Sequence, residues 1–278
     1  MGYKNTFLLA CFLQVFTVFA GQPDSLRCRR EVRLNGEYFK SYFTDTRDVF
    51  TSPFKWDGRE WIAVSALTAV TLLAYAQDDF TRDFFQRNRW HAAEQSSRYF
   101  FEPLGRGEVI FPLMGGVYIL GLATGNQRAS RAGLTAVKAM AITAFFTHAT
   151  KYATQRFRPH DHDPPNPRLW EGPFGSYTHT SFPSGHSSVV FAAATVLASE
   201  YRDKPWVPVL SYTIASLSAL SRVYDDEHWV SDVIIGSALG FGIGKLVYRN
   251  TACSPRFIAL PGVSASGLPG FTMIYHLR

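Results

Sequence analysis

The sequence predicts an all-α protein: a core bundle of six helices with a short β-hairpin-like tail. Six apolar segments of helical length, at about 60–77, 108–124, 133–151, 187–200, 206–223 and 229–248, occupy most of the chain. No alternating apolar–polar run, the mark of a half-buried strand, occurs before residue 255. Small residues recur inside the segments, as at Gly236, Ala238, Gly240, Gly242 and Gly244, and such residues let helices approach closely.

Taken in order, residues 1–20 read as a secretory signal. Lys4 gives the positive start, Phe7 to Phe19 form an apolar run broken only by Gln14 and Thr17, and small Ala20 precedes Gly21. That run is too short to span a bilayer comfortably, and a retained anchor is the alternative. Residues 21–58 are polar and Arg-rich, an arm or a set of short surface helices; 59–250 form the core domain. In the tail, 251–278, the segments 257–263 and 271–277 flank a Ser/Gly/Pro turn and read as a hairpin. Export would leave Cys28 and Cys253 in an oxidising compartment, where they either pair or stay as two free thiols.

The composition, 46% hydrophobic and 18% charged, is more apolar than that of a typical soluble domain. A net charge of +6 suits an anionic substrate or membrane surface; it suits nucleic acid equally, so charge alone selects no partner. A mean hydropathy of −0.05 is low for six membrane spans. Topology adds a conflict: with a cleaved signal and six spans, the loop after the third segment would face inward. Basic residues occur on both sides, so the positive-inside rule does not choose an orientation. The balance favours membrane association.

Three clusters at the ends of apolar segments carry the chemistry. Lys151 and Arg158 stand two helical turns apart, predicted on one helical face, before Pro159 stops the helix. Two such cations suit a phosphate, although basic residues also cap helix C-termini. Ser181-Phe182-Pro183-Ser184-Gly185-His186 leads into the fourth segment. Ser184 is a good cap, Gly185 lets a backbone N–H approach a ligand, and His186 would stand beside an anion at that terminus. Ser221-Arg222, His228 and Asp232 form the third cluster. One turn apart, His228 and Asp232 can hydrogen-bond, which fixes the tautomer and leaves the other ring nitrogen free as a nucleophile.

This three-part order resembles the signature of the type-2 phosphatidic acid phosphatase superfamily, which also includes bacterial class A acid phosphatases and vanadium-dependent haloperoxidases. The resemblance covers roughly residues 60 to 250 and is complete at the signature positions. It implies a metal-independent phosphatase without cofactor. His228 would be the nucleophile, Asp232 would orient it, and His186 would be the general acid and base. Lys151, Arg158, Ser184, Gly185 and Arg222 would hold the phosphate. The run from His228 to Gly236 is similar to that of membrane lipid phosphatases. The expectation is a lipid phosphatase of a bacterial inner membrane with its site facing the periplasm. A soluble periplasmic acid phosphatase is the alternative, and a haloperoxidase a more distant one.

Other groups receive plain readings. Asp225-Asp226-Glu227, where relatives often carry small or apolar residues, is expected to be a solvated loop rather than a device against extra negative charge or a cation site. His160-Asp161-His162-Asp163 makes poor closed ligand geometry in a Pro-rich loop, and no metal site is expected there. His148, one turn before Lys151, could line the pocket but is read as a core or surface histidine; Trp90, Trp170 and Trp229 would suit a membrane interface, and ordinary packing explains them as well.

Overall fold

The structure, a computed structural model, describes residues 32–253 and two strands, 257–263 and 269–275. The signal-like segment and the Cys28–Cys253 question lie outside the described residues. Helix α1 (Gly36–Thr51) starts at Asn35, whose side chain accepts the Tyr38 N–H at 3.0 Å. A short 3-10 turn leads to α2 (Gly58–Tyr75), opened by a capping box between Asp57 and Glu60. Then follow α3 (Asp78–Arg87), α4 (His91–Ser96), a π-helical turn (Ser97–Phe101) and α5 (Glu102–Gly105). The long helices α6 (Gly107–Ala123), α7 (Gln127–Thr154), α8 (Gly185–Glu200), α9 (Trp206–Tyr224) and α10 (Val230–Cys253) complete the bundle. Strands β1 (Phe257–Val263) and β2 (Pro269–Tyr275) pair antiparallel, with Phe257 opposite Tyr275.

All six apolar segments are helices, as α2, α6, α7, α8, α9 and α10, and the hairpin is present with its second strand two residues earlier. The arm holds α1, whose inner face is fixed by Tyr38 donating to the Leu134 carbonyl at 2.9 Å and by a buried Lys138–Asp45 ion pair at 2.7 Å. The helical connection 78–105 is divided into short helices, none as long as the six apolar segments.

At the centre stands α8, packed against α7, α9 and α10, with Phe191, Ala192 and Val196 fully enclosed. The contact with α10 depends on glycines spaced four apart. A Cβ on Gly236, Gly240 or Gly244 would run into backbone carbonyls of Ser184, Ser188 or Ala192. Gly242, on the other side of the helix, faces open space.

The outside of the bundle is apolar. Ile62, Leu72 and Leu73 on α2 and Ile119, Leu120 and Leu122 on α6 are all exposed. Among the described residues, Val230–Thr251 is the one helix long and apolar enough to cross a membrane. The pairs α2–α3 and α4/α5–α6 also qualify if each is taken as one span, bent by 59° and 62°.

The glycine stripe gives a direct test. Gly240→Val is expected to cost about 1–3 kcal/mol or more through overpacking. Gly242→Ala should be neutral or stabilising by up to ~1 kcal/mol, since it only improves helix propensity. Thermal unfolding in detergent measures both.

Candidate active site

A cavity of about 510 Å³ opens at the end of the bundle where α7 stops and α8 begins. Lys151, Arg158, Gly185, His186 and His228 line it together with apolar Phe111, Ala144 and Val189. His148, one turn before Lys151, also lines it, the less favoured of its two readings.

The first cluster converges by a different route from the one expected. Helix α7 ends at Thr154, and Gln155 takes a left-handed conformation (φ 46°) that turns the chain. The buried Gln155 amide holds this turn, donating to the Gly172 carbonyl and accepting from the Tyr177 N–H. Arg158 therefore lies in the following loop, not on the helical face of Lys151. Both still meet at Thr180, Lys151 through its carbonyl and Arg158 through its hydroxyl at 3.4 Å.

In the second cluster, the Ser184 hydroxyl caps α8, accepting from the hydroxyl of Ser187 at 2.9 Å and from its N–H at 3.5 Å. A Cβ on Gly185 would sit 3.8 Å from Lys151 and 3.9 Å from Thr147, so the missing side chain leaves the helix terminus open beside the lysine. The His186 ring packs over Gly105, where a Cβ would lie 2.8 Å from it, and its Nε2 is 3.6 Å from the Glu102 carboxylate. Neither Glu102 nor Gly105 was found by sequence reasoning, because both lie in the polar connection.

The third cluster differs in detail. His228 precedes α10 rather than opening it, and its Nδ1 is 3.8 Å from Asp232 Oδ2, beyond hydrogen-bond length. That oxygen instead accepts from Ser181 Oγ at 2.5 Å and from the Trp229 N–H at 3.1 Å, and Ser181 Oγ lies 3.4 Å from His228 Nδ1. With Nδ1 turned towards Ser181 and Asp232, Nε2 is the nitrogen left for the cavity. Burial, opposed by Asp232 and reinforced by the Lys151 charge, lowers the His228 pKa to about 3, so the imidazole is neutral.

Behind Asp232 sits a group that sequence reasoning passed over. Arg156 is fully enclosed and bridges two carboxylates, Asp232 and, at 2.8 Å, Asp78. It also donates to Ser231 Oγ at 2.7 Å and to the Pro167 carbonyl, and lies against the rings of Tyr75, Trp170 and Trp229. The signal was its position inside the Lys151–Arg158 stretch, obscured by attention to one helical face.

The acidic loop is not a solvated one. Arg82 forks onto Asp226 with two bonds of 2.7 Å and holds it in a left-handed conformation (φ 63°). Asp225 accepts from Ser97 at 2.9 Å, and Glu227 pairs with Arg158 and stands 3.6 Å from Arg222. Arg222 is also 3.4 Å from Glu102. His160, Asp161 and His179 cluster in the loop above, yet among the described residues no group of three or more side chains has metal-holding geometry.

Chemically, a neutral imidazole, a second histidine and two cations surround one cavity, with Arg222 joined to them through Glu227. Thr147 Oγ1, His186 Nε2 and Arg222 Nε are buried without a hydrogen-bond partner among the described residues. Such atoms suit an oxyanion that brings its own acceptors and donors.

Residues 132–253, which hold all three clusters, match the model of the family described as the PAP2 superfamily. Lipid A 1-phosphatase of Porphyromonas gingivalis is 31% identical over 185 residues, 66% of this chain and 36% of that protein. Undecaprenyl-diphosphatase of Sulfolobus acidocaldarius is 31% identical over 129 residues, 46% of this chain and 60% of that protein. The chain thus aligns with less than two thirds of either relative's length. The crystal structure of a transmembrane PAP2-type phosphatidylglycerolphosphate phosphatase from Bacillus subtilis superposes with a TM-score of 0.49 at 21% identity, over 76% of this chain and 92% of that one. Over residues 132–253, which carry Lys151, Arg158, His186, Arg222, His228 and Asp232, the chain is similar to the PAP2 superfamily.

Proposed function

We propose that this protein is a lipid phosphatase that removes a terminal phosphate, from a monoester or a diphosphate, through a phosphohistidine at His228. One observation carries the reading: Lys151, Arg158 and two histidines share a cavity with the apolar side chains of Phe111, Ala144 and Val189. In this mechanism Lys151, Arg158 and Arg222, with the Gly185 N–H at the α8 terminus, hold the phosphoryl oxygens and stabilise the charge of the transition state. The Ser184 cap keeps that terminus in place.

Neutral His228 attacks phosphorus with Nε2. In the empty site burial and the Arg222 charge lower the His186 pKa to about 4; beside a bound phosphoryl dianion it takes up the proton that it gives to the departing alkoxide as a P–N bond forms and the ester P–O bond breaks. Neutral His186 then takes a proton from water, whose oxygen displaces the histidine and releases inorganic phosphate. Asp232 stabilises the positive ring formed in the first step. The apolar residues of the lining and the exposed leucines and isoleucines of the exterior support a lipid substrate, as do the relatives, whose names specify lipid A and undecaprenyl diphosphate. We assign the enzyme to a bacterial inner membrane with its cavity facing the periplasm; the signal-like N-terminal segment supports that side.

Phosphate release in detergent with excess EDTA, comparing lipid phosphates with p-nitrophenyl phosphate, tests the reading. Strong lipid turnover with weak aryl phosphate hydrolysis is expected. Loss of activity on chelation overturns the three-cation mechanism, and equal turnover of both substrates points to a broad acid phosphatase. His228→Ala should lower kcat by at least about 10³-fold, on the scale of losing a covalent nucleophile, while the thermal transition is retained.

The His228 pKa also links stability to acid. Its folded value of about 3 lies below the ordinary value of ~6.5, so between these limits the unfolded chain binds the proton more readily. This contribution to stability is complete above pH 6.5 and is lost as pH falls towards 3. His228→Gln should therefore show a smaller fall in Tm from pH 7 to pH 4 than the unaltered protein.

A further inference from the structure

We infer that Glu227 is an internal competitor for the phosphate, an anion built into the cage that the substrate must displace; this rests on the proposed phosphatase reading. Its carboxylate pairs with Arg158 and lies 3.6 Å from Arg222, so it engages both guanidinium groups assigned to the phosphoryl oxygens. The position is that of a stand-in: one carboxylate spanning two arginines, as a phosphoryl group would span them.

Two features make the contact displaceable. The Glu227 side chain is 30% exposed and its Arg158 partner 28%, unlike the fully enclosed Arg156–Asp232 pair, so water can take over the released carboxylate. The backbone is held independently, since the N–H groups of Glu227 and His228 both donate to the Arg222 carbonyl, at 3.0 and 3.2 Å. The side chain can rotate away without moving the nucleophile. The other carboxylates near these arginines differ. Glu102 is tied to Arg106 at 2.8 Å and Asp225 to Ser97 at 2.9 Å, and neither pairs with Arg158.

The consequence is a graded cage. A phosphoryl dianion brings more charge and one more oxygen than the carboxylate and wins the arginines. A singly charged diester brings only the charge and the two free oxygens that the carboxylate already supplies, and gains nothing by displacing it. The same competition weakens the hold on released inorganic phosphate. Glu227 thus sets selectivity for terminal phosphoryl groups and lowers product affinity.

The alternative role, in which Glu227 only positions the arginines, predicts the opposite sign. The test is calorimetric binding of inorganic phosphate to the full chain in detergent. Glu227→Gln should tighten phosphate binding by about tenfold, the scale of one charge-assisted contact, and lower KM for a lipid monophosphate more than it changes kcat. Asp203→Asn, the same charge change at the far end of α7, should leave phosphate affinity unaltered. Unchanged or weaker binding by Glu227→Gln overturns the inference, as does an absence of measurable binding by both proteins. Equal tightening by Asp203→Asn overturns it too, since net charge would then explain the gain. If Glu227→Gln does not fold, Glu227→Ser carries the same expectation. Tighter binding without lipid hydrolysis by the unaltered protein would leave this inference standing and remove the phosphatase reading.

Discussion

One enclosed guanidinium organises the molecule. Arg156 has no exposure to solvent, and its buried charge is balanced by Asp78 and Asp232, which approach from two sides. Removing either partner would strand a charge in a low-dielectric interior, a loss of about 3–5 kcal/mol for a broken buried pair. The bridge ties together the α2–α3 junction, the loop after α7, the Pro167 loop and the start of α10. The nucleophile's neighbour is thus fixed by the same contacts that close this end of the bundle.

Site and fold divide the polar groups in an unusual way. Helix α8 buries serines, small residues and a phenylalanine, while long aliphatic side chains of α2, α6 and α9 face outward. In water that arrangement would leave a large apolar area uncovered. Against hydrocarbon it is the economical one, with small residues at helix contacts and backbone polar groups satisfied within helices. The cavity stands where the two regimes meet, lined both by basic side chains and by Phe111, Ala144 and Val189.

Much of this was legible in the sequence. Apolar segments of helical length gave the six long helices because burial and lipid contact both demand them. The glycines of α10 announced a close contact, although periodicity alone did not separate Gly242, which faces open space, from Gly236, Gly240 and Gly244. The motif residues converge, but their local geometry was misread. The left-handed turn at Gln155 depends on partners 17 and 22 residues away, which no local pattern reveals. Glu102, Gly105 and Asp78 act at long range from a connection without apolar periodicity. The acids before His228 looked solvated because their partners, Arg82, Ser97 and Arg158, are distant in sequence.

Helix α7 has a further consequence. At its start, Arg131 is clamped to the buried carboxylate of Glu200, and at its end Lys151 faces the cavity. The two lie twenty residues apart along one helix, about 30 Å at 1.5 Å per residue, which equals the ~30 Å thickness of a bilayer's hydrocarbon core. In a membrane, the clamp and the cavity would then sit level with opposite leaflets. Packed among α6, α8 and α10 rather than apolar enough to cross by itself, such a helix would act as a ruler in a membrane-spanning bundle, with headgroups of one leaflet at the depth of Lys151 and those of the other at the Arg131–Glu200 end.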